Sequence, residues 1–283
     1  MTKTVTFIKR NPGFAVCLIL VLAVLTVAVF APLLATYDPY EAVLADAVRA
    51  PSAEHWFGTD RMGRDLYSRV LYGARISLTA ALSLVCIVMA VGTFLGILSG
   101  YFGGILDAAV MRIADMMVSF PGMVLAIAVA GILGANIRNA VIAISVVSWT
   151  KYARLARSLA LKIRSRDYIA AARVTGSRTS HILWRYVLPG VLPTILITGA
   201  TDIGSMMLEL AGLSFLGFGA QAPTAEWGLM LNEGRAYLTA APWLMVFPGL
   251  AIFITVAVFN LLGDSLRDVL DLSLIHISEP TRP

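Results

Sequence analysis

The chain has 283 residues, of which 58% are hydrophobic and only 14% charged. Soluble domains carry about 25% charged residues, so this composition, with a mean hydropathy of +0.81, excludes a water-facing globular domain and makes lipid the natural solvent. The formal charge of +5 does not indicate nucleic acid, because the cations sit in loops beside apolar runs.

The first apolar run, FAVCLILVLAVLTVAVFAPLLA, follows Lys3, Lys9 and Arg10. A secretory signal has an apolar core of about 7–15 residues, and this run is longer, so it predicts a retained span. The chain then divides into an N-terminal segment (1–13), a first transmembrane helix (14–36), a polar outer segment (37–75) and a membrane core (76–271).

The outer segment contains HWFGTDRMGRDLYSRVLYGARISL, read as a turn at Gly58 and Gly63 followed by an amphipathic helix. Asp65 and Arg69 have the i,i+4 spacing of a helical ion pair. Two readings stay open for this segment, a structural cap or a docking surface for an external partner.

Within the core, further spans are expected at about 76–100, 119–134, 140–160, 191–212 and 243–262, six in all. The fold class is therefore an all-α integral membrane protein, a six-transmembrane-helix bundle. Gly92, Gly96 and Gly100 form a small-residue stripe for close helix packing. Cys17 and Cys86 lie in apolar runs and read as small buried hydrophobes. His55, His181 and His276 lack metal-ligand spacing, so neither a metal nor another cofactor is expected.

Between the fourth and fifth spans lie Lys151, Arg154, Arg157, Lys162, Arg164, Arg166, Arg173, Arg178 and Arg185, against one acid, Asp167. The excess of Lys and Arg marks this loop as cytoplasmic, and six spans then place both termini there. The five arginines of the outer segment, Arg49, Arg61, Arg64, Arg69 and Arg75, fit that rule imperfectly.

The basic loop contains AARVTGSRTSHILWRYVLPG. Gly176 suits the left-handed residue that ends a helix, Ser180 suits an N-cap, and Pro189 suits the start of a following helix. The expected product is a helix–turn–helix elbow at about 161–189. Ile169, Ile182, Leu183 and Trp184 are expected to insert into a groove on another protein.

In the fifth span, Asp202, Met206 and Glu209 share one helix face. An intramembrane Asp costs about 2.5–3.5 kcal/mol on insertion scales, so it should face protein or a water-filled path. Lining of a cation-attracting path and a hydrogen bond within the bundle both remain open.

The end of the chain, LSLIHISEPTR, matches codon for codon the translation of a transposase adapter used in sequencing libraries. Residues 272–283 are accordingly expected to be read-through rather than native sequence. No P-loop, His-Glu-x-x-His or Gly-x-Ser-x-Gly motif occurs, so neither ATP binding by a P-loop nor those enzyme chemistries belong to this chain.

The stretch AARVTG…VLP resembles the cytoplasmic signature of permease subunits in binding-protein-dependent ABC importers. Ala171, Ala172, Gly176, Leu188 and Pro189 match it, and Ala170 stands where that family commonly has Glu. HWFGTDRMGRDLYSR, GARISL, MRIADMMVSFPG, LSFLGFGAQAPTAEWGLML and DSLRD extend the resemblance to the dipeptide/oligopeptide/nickel permease group. The arrangement of Asp202 to Leu208, with Leu210 where peptide permeases usually carry Glu, looks closer to the nickel type.

The resemblance implies a MetI-like fold in the bacterial inner membrane, and ATPase coupling through Ala170, Ala171, Ala172, Gly176, Leu188 and Pro189. It implies a second permease subunit as a heterodimer partner, two ATP-binding subunits and an extracytoplasmic solute-binding protein, with no nucleic acid. The solute would be nickel, a metal chelate or a short peptide. An ion-coupled secondary transporter or channel working without an ATPase is the alternative.

Overall fold

A computed structural model describes residues 12–278, with side chains through residue 268. Lys3, Lys9, Arg10 and residues 279–283 lie outside the described residues. The described chain consists of helices, turns and one isolated antiparallel bridge, Thr59 with Asp65.

Helix α1 (Pro12–Val29) is followed, beyond a polar connector, by α2 (Leu66–Phe102), α3 (Gly104–Val118) and α4 (Gly122–Leu133). After these come α5 (Ile137–Arg164), α6 (Asp167–Val174), α7 (Thr179–Phe215), α8 (Trp227–Gly234) and α9 (Trp243–Ser278). The backbone of 272–278 continues α9.

Four helices (α1, α2, α7 and α9 as far as Asp268) are long and apolar enough to cross a bilayer, and α3 with α4 forms a fifth candidate. The third expected span, 119–134, is thus only the second arm of a pair bent by 95°. At the break, Ser119 Oγ bonds back to Asp115 O at 2.8 Å, and Pro121 lacks an N–H and disfavours helix at the residue before it. The fourth expected span lies inside α5, which is continuous for 28 residues. Ser148, Thr150, Lys151 and Arg154 dilute its apolar run, and it does not pass as a span on composition.

The expected second span also grows at its start. Asp65 caps α2 by accepting from Ser68 N at 2.8 Å, and the helix runs through the supposed amphipathic element and the span without a break. A capped N-terminus with no Pro inside leaves nothing to interrupt the hydrogen-bond ladder.

The chain forms two compact units. The first draws on the chain up to Leu82, on Gly134–Ala140 and on the chain from Ala200 onward; the second on Ser83–Leu133 and Val141–Gly199. In the first unit α1 lies along α9, with Cys17 Sγ 3.5 Å from Ser265 Oγ. Here α7 and α9 also come close, since a Cβ on Gly204 would strike Asn260 and one on Gly263 would strike Thr201.

The second unit is built on the glycine stripe of α2. A Cβ on Gly92, Gly96 or Gly100 would collide with the carbonyl oxygens of Trp149, Ala153 and Arg157 on α5. Small residues here let two backbones touch, which is packing rather than chemistry. Cys17 is buried as expected, but Cys86 is exposed.

Candidate coupling elbow and solute path

The elbow forms within the second unit. Helix α6 ends in a hydrogen-bonded cap: Gly176 N bonds Arg173 O and Ser177 N bonds Ala172 O, both at 3.0 Å. Gly176 has φ +81°, a left-handed conformation that costs an L-residue about 1–2 kcal/mol. The expectation for Gly176 holds.

The expectations for Ser180 and Pro189 need correction. The N-cap position of α7 is Arg178, without a side-chain cap, and Ser180 lies inside the first turn. The helix does not restart at Pro189 either, since residues 183–187 are π-helical and Leu188 N bonds Leu183 O. That wider turn tolerates the missing N–H of Pro189, so the helix passes through it into the span.

The apolar residues of the elbow divide in two. Ile169 and Ile182 are buried within the chain, which removes them from any docking face and corrects the sequence reading. Leu161, Tyr168, Val174 and Trp184 are the large exposed ones, Val174 at 88% and Trp184 at 73%. Ala170, Ala171, Gly176 and Pro189 are exposed, Leu188 is half-buried and Ala172 is buried. The elbow is anchored from behind, with the Arg173 guanidinium 5.3 Å from the centre of the Tyr101 ring.

A second anchor joins α3 to α5. Arg157 grips Asp107 with two bonds, Nε to Oδ1 at 2.5 Å and Nη2 to Oδ2 at 2.6 Å, and Ser99 Oγ donates to the same carboxylate. A bidentate pair of this kind fixes orientation as well as distance.

In the first unit, Asp202 and Met206 on α7 are buried and Glu209 is half-buried. Asp202 and Glu209 both have polar interactions. The residues sit on one helix as the spacing predicts, in the stretch that lies close to α9.

Sequence reasoning missed a buried ionic cluster in the same unit. Asp60 Oδ2 lies 2.6 Å from Arg64 Nε and 3.3 Å from Arg69 Nε. Glu233 Oε2 lies 3.3 Å from Arg64 Nη2 and 3.2 Å from Arg69 Nη2. Arg69 is 0% exposed and also donates to the Pro39 and Pro223 carbonyls. The expected Asp65–Arg69 pair does not form, because Asp65 caps α2 and meets His55 Nδ1 at 2.9 Å. The available signal was the surplus of arginine and aspartate in the outer segment, where the loop-charge rule fitted poorly.

Beside this cluster, Glu226 caps α8, accepting from Gly228 N at 3.0 Å and Leu229 N at 2.8 Å. Ser77 Oγ donates to the carboxylate at 3.3 Å. Burial pushes the Glu226 carboxyl above its ordinary value, outweighing these hydrogen bonds, which favour the charged form.

Long apolar helices, a broken helix pair and a basic elbow anchored on the bundle define a multi-pass helical membrane protein of the permease class. The chain belongs to the family of binding-protein-dependent transport system inner membrane components, whose model matches residues 92–276. Residues 6–51 match the N-terminal TM domain of oligopeptide transport permease C.

Among its relatives is the dipeptide transport system permease protein DppC of Alkalihalophilus pseudofirmus, 42% identical over 93% of this chain and 87% of that protein. The nickel transport system permease protein NikC of Escherichia coli K12 is 39% identical over 95% and 97%. The glutathione transport system permease protein GsiD of Pectobacterium atrosepticum is 44% identical over 94% and 88%. A solved structure of the MetNI methionine ABC transporter shares the fold at a TM-score of 0.57 and 18% identity, covering 72% of this chain and 97% of that one.

These relatives are permeases rather than enzymes, and they confirm the dipeptide/oligopeptide/nickel group. They support an ABC permease and not the ion-coupled alternative. Within the group, identity is no higher to the nickel permease than to the peptide-type ones, so the expected lean toward nickel gains no support.

Proposed function

We propose that this chain is one of two permease subunits in an ATP-driven importer that brings short peptides or nickel into the cytoplasm. Its heterodimer partner, two ATP-binding subunits and an extracytoplasmic solute-binding protein complete the machine. The observation that carries the reading is the elbow, whose α6 arm leaves Tyr168, Ala171 and Val174 exposed while Ile169 and Ala172 hold it to the bundle. An apolar residue as exposed as Val174, flanked by cations, fits a groove on a soluble partner.

In this reading the elbow and both termini face the cytoplasm, and six crossings are completed by α5 and the α3–α4 pair. Residues 37–75 are extracytoplasmic, residues 76–271 form the permease core, and residues 272–283 are adapter-derived. Closure of the ATPase pair moves α6, and the π-helical joint at 183–187 passes that movement into the span. Asp202, Met206 and Glu209 line the solute path, where two carboxylates favour a cationic group on the solute.

Cysteines placed at Val174 and Thr179 are expected to crosslink to the ATPase subunit in the assembled complex. Labelling of these positions from outside intact cells would reject the topology. Asp202→Asn with Glu209→Gln is expected to lower uptake per assembled complex. A ratio equal to wild type, with less complex formed, assigns these residues to bundle stability instead.

A further inference from the structure

Within the second unit, α5 exposes Lys151 and Arg154, three residues apart and so neighbours on one helix face. On α3, Arg112 and Asp115 are exposed at the same spacing. Arg154 joins the two faces, its Nη2 donating to Asp115 Oδ1 at 2.9 Å, with side-chain exposures of 43% and 66%. One turn along, the bidentate Arg157–Asp107 pair is half-buried. That pair fastens two helices, whereas the Arg154 pair stands open to whatever fills the space beside it.

The depth of the open pair follows from the glycine stripe. Gly96 packs against Ala153, beside Arg154. Helix α2 carries no charged residue from Ile76 to Phe102, an apolar rod about 40 Å long. Gly96 lies about 10 Å from the middle of that rod, inside a hydrocarbon core about 30 Å thick. Phe94 and Val91 of the same stretch are exposed, as side chains facing lipid are. Exposed charges at this depth are too costly against lipid and belong beside water or protein.

The patch holds three cations, Arg112, Lys151 and Arg154, to one carboxylate, Asp115. A water-filled space bordered by it is positive, so it gathers anions and repels cations. A bare nickel ion is the wrong solute for such a wall. The terminal carboxylate of a short peptide suits it, since guanidinium binds carboxylate through two parallel hydrogen bonds.

We infer that Arg112, Asp115, Lys151 and Arg154 line the aqueous solute route in the second unit as a carboxylate-accepting wall, which makes short peptides rather than free nickel the cargo. Asp115 holds the Arg154 guanidinium in place until a solute carboxylate competes for it. The inference rests on the permease reading and its six crossings, and adds to them the charge of the solute.

The test uses the complete complex, with both permease and both ATPase subunits, in nanodiscs. Lys151→Cys is made with Cys17→Ala and Cys86→Ala, and Phe94→Cys in the same background is the lipid-facing control. The probes are membrane-impermeant methanethiosulfonates, one bearing a sulfonate and one a trimethylammonium. Lys151→Cys is expected to react, Phe94→Cys to stay unmodified. Relative to free cysteine, the sulfonate reagent is expected to gain about tenfold over the cationic one. Arg112→Gln with Arg154→Gln is expected to erase that preference. In proteoliposomes with the solute-binding protein, Arg154→Gln is expected to cut alanyl-alanine uptake per assembled complex about tenfold, and Arg154→Lys to keep most of it.

A Lys151→Cys thiol as inert as Phe94→Cys overturns the inference, because lipid or the partner permease then seals the patch. Reaction only after the partner permease is removed does the same, as does a preference for the cationic reagent. A wild-type complex that carries nickel and no alanyl-alanine overturns the assigned cargo. One that carries neither fails the proposed function, while the labelling still decides the lining.

Discussion

Two regions of this molecule are rich in arginine, and they use it in opposite ways. Around the start of α2, Arg64 and Arg69 are buried against Asp60 and Glu233. In the elbow, Arg166, Arg178 and Arg185 stand exposed. A cation surrounded by carboxylates and carbonyls belongs to the fold, whereas one in solvent is available to a membrane surface or a partner. Arg64 and Arg69 are therefore spent inside the fold, whereas Arg49, Arg61 and Arg75 of the same stretch stay exposed.

The largest effect is expected at Arg69. Arg69→Met leaves two buried carboxylates with one fewer counter-charge, and breaking such a cluster costs about 3–5 kcal/mol. Thermal unfolding of the purified complex should show the loss, and a variant as stable as wild type would place Arg69 with the solvated arginines of the elbow.

Glu226 sharpens the connector side through pH. Its folded-state pKa is raised, so its stabilising contribution is complete below the ordinary value of 4.5. That contribution declines as pH rises toward the folded value. The melting temperature is expected to fall as pH rises above that ordinary value, and Glu226→Gln should flatten that part of the profile. An identical slope in the variant removes Glu226 as its source.

On the elbow side, Gly176→Val is expected to cost about 1–2 kcal/mol, confined to the turn. A Cβ there has open space, so the cost is conformational, and Gly176→Asn should recover much of it. Uptake per assembled complex should fall in the Val variant. The smallest effect on stability is expected at Val174→Ser, within about 0.5 kcal/mol, yet co-purification of the ATPase subunit should drop. If Val174→Ser melts early instead, the elbow surface is part of the fold like the connector.

Sequence alone determined the lipid-facing class, four of the spanning helices, the close-packing glycine stripe on α2, and the left-handed turn at Gly176. Each of these is local, coming from the length of an apolar run, a four-residue spacing or the freedom of a single glycine. Only the tertiary structure decided which elbow side chains are buried. Ile169 and Trp184 look alike in a string of letters, and neighbours distant in sequence set their exposure. Tertiary packing also decided that Arg69 pairs with Asp60 and Glu233, residues brought to it by the fold, while Asp65 caps α2 and meets His55.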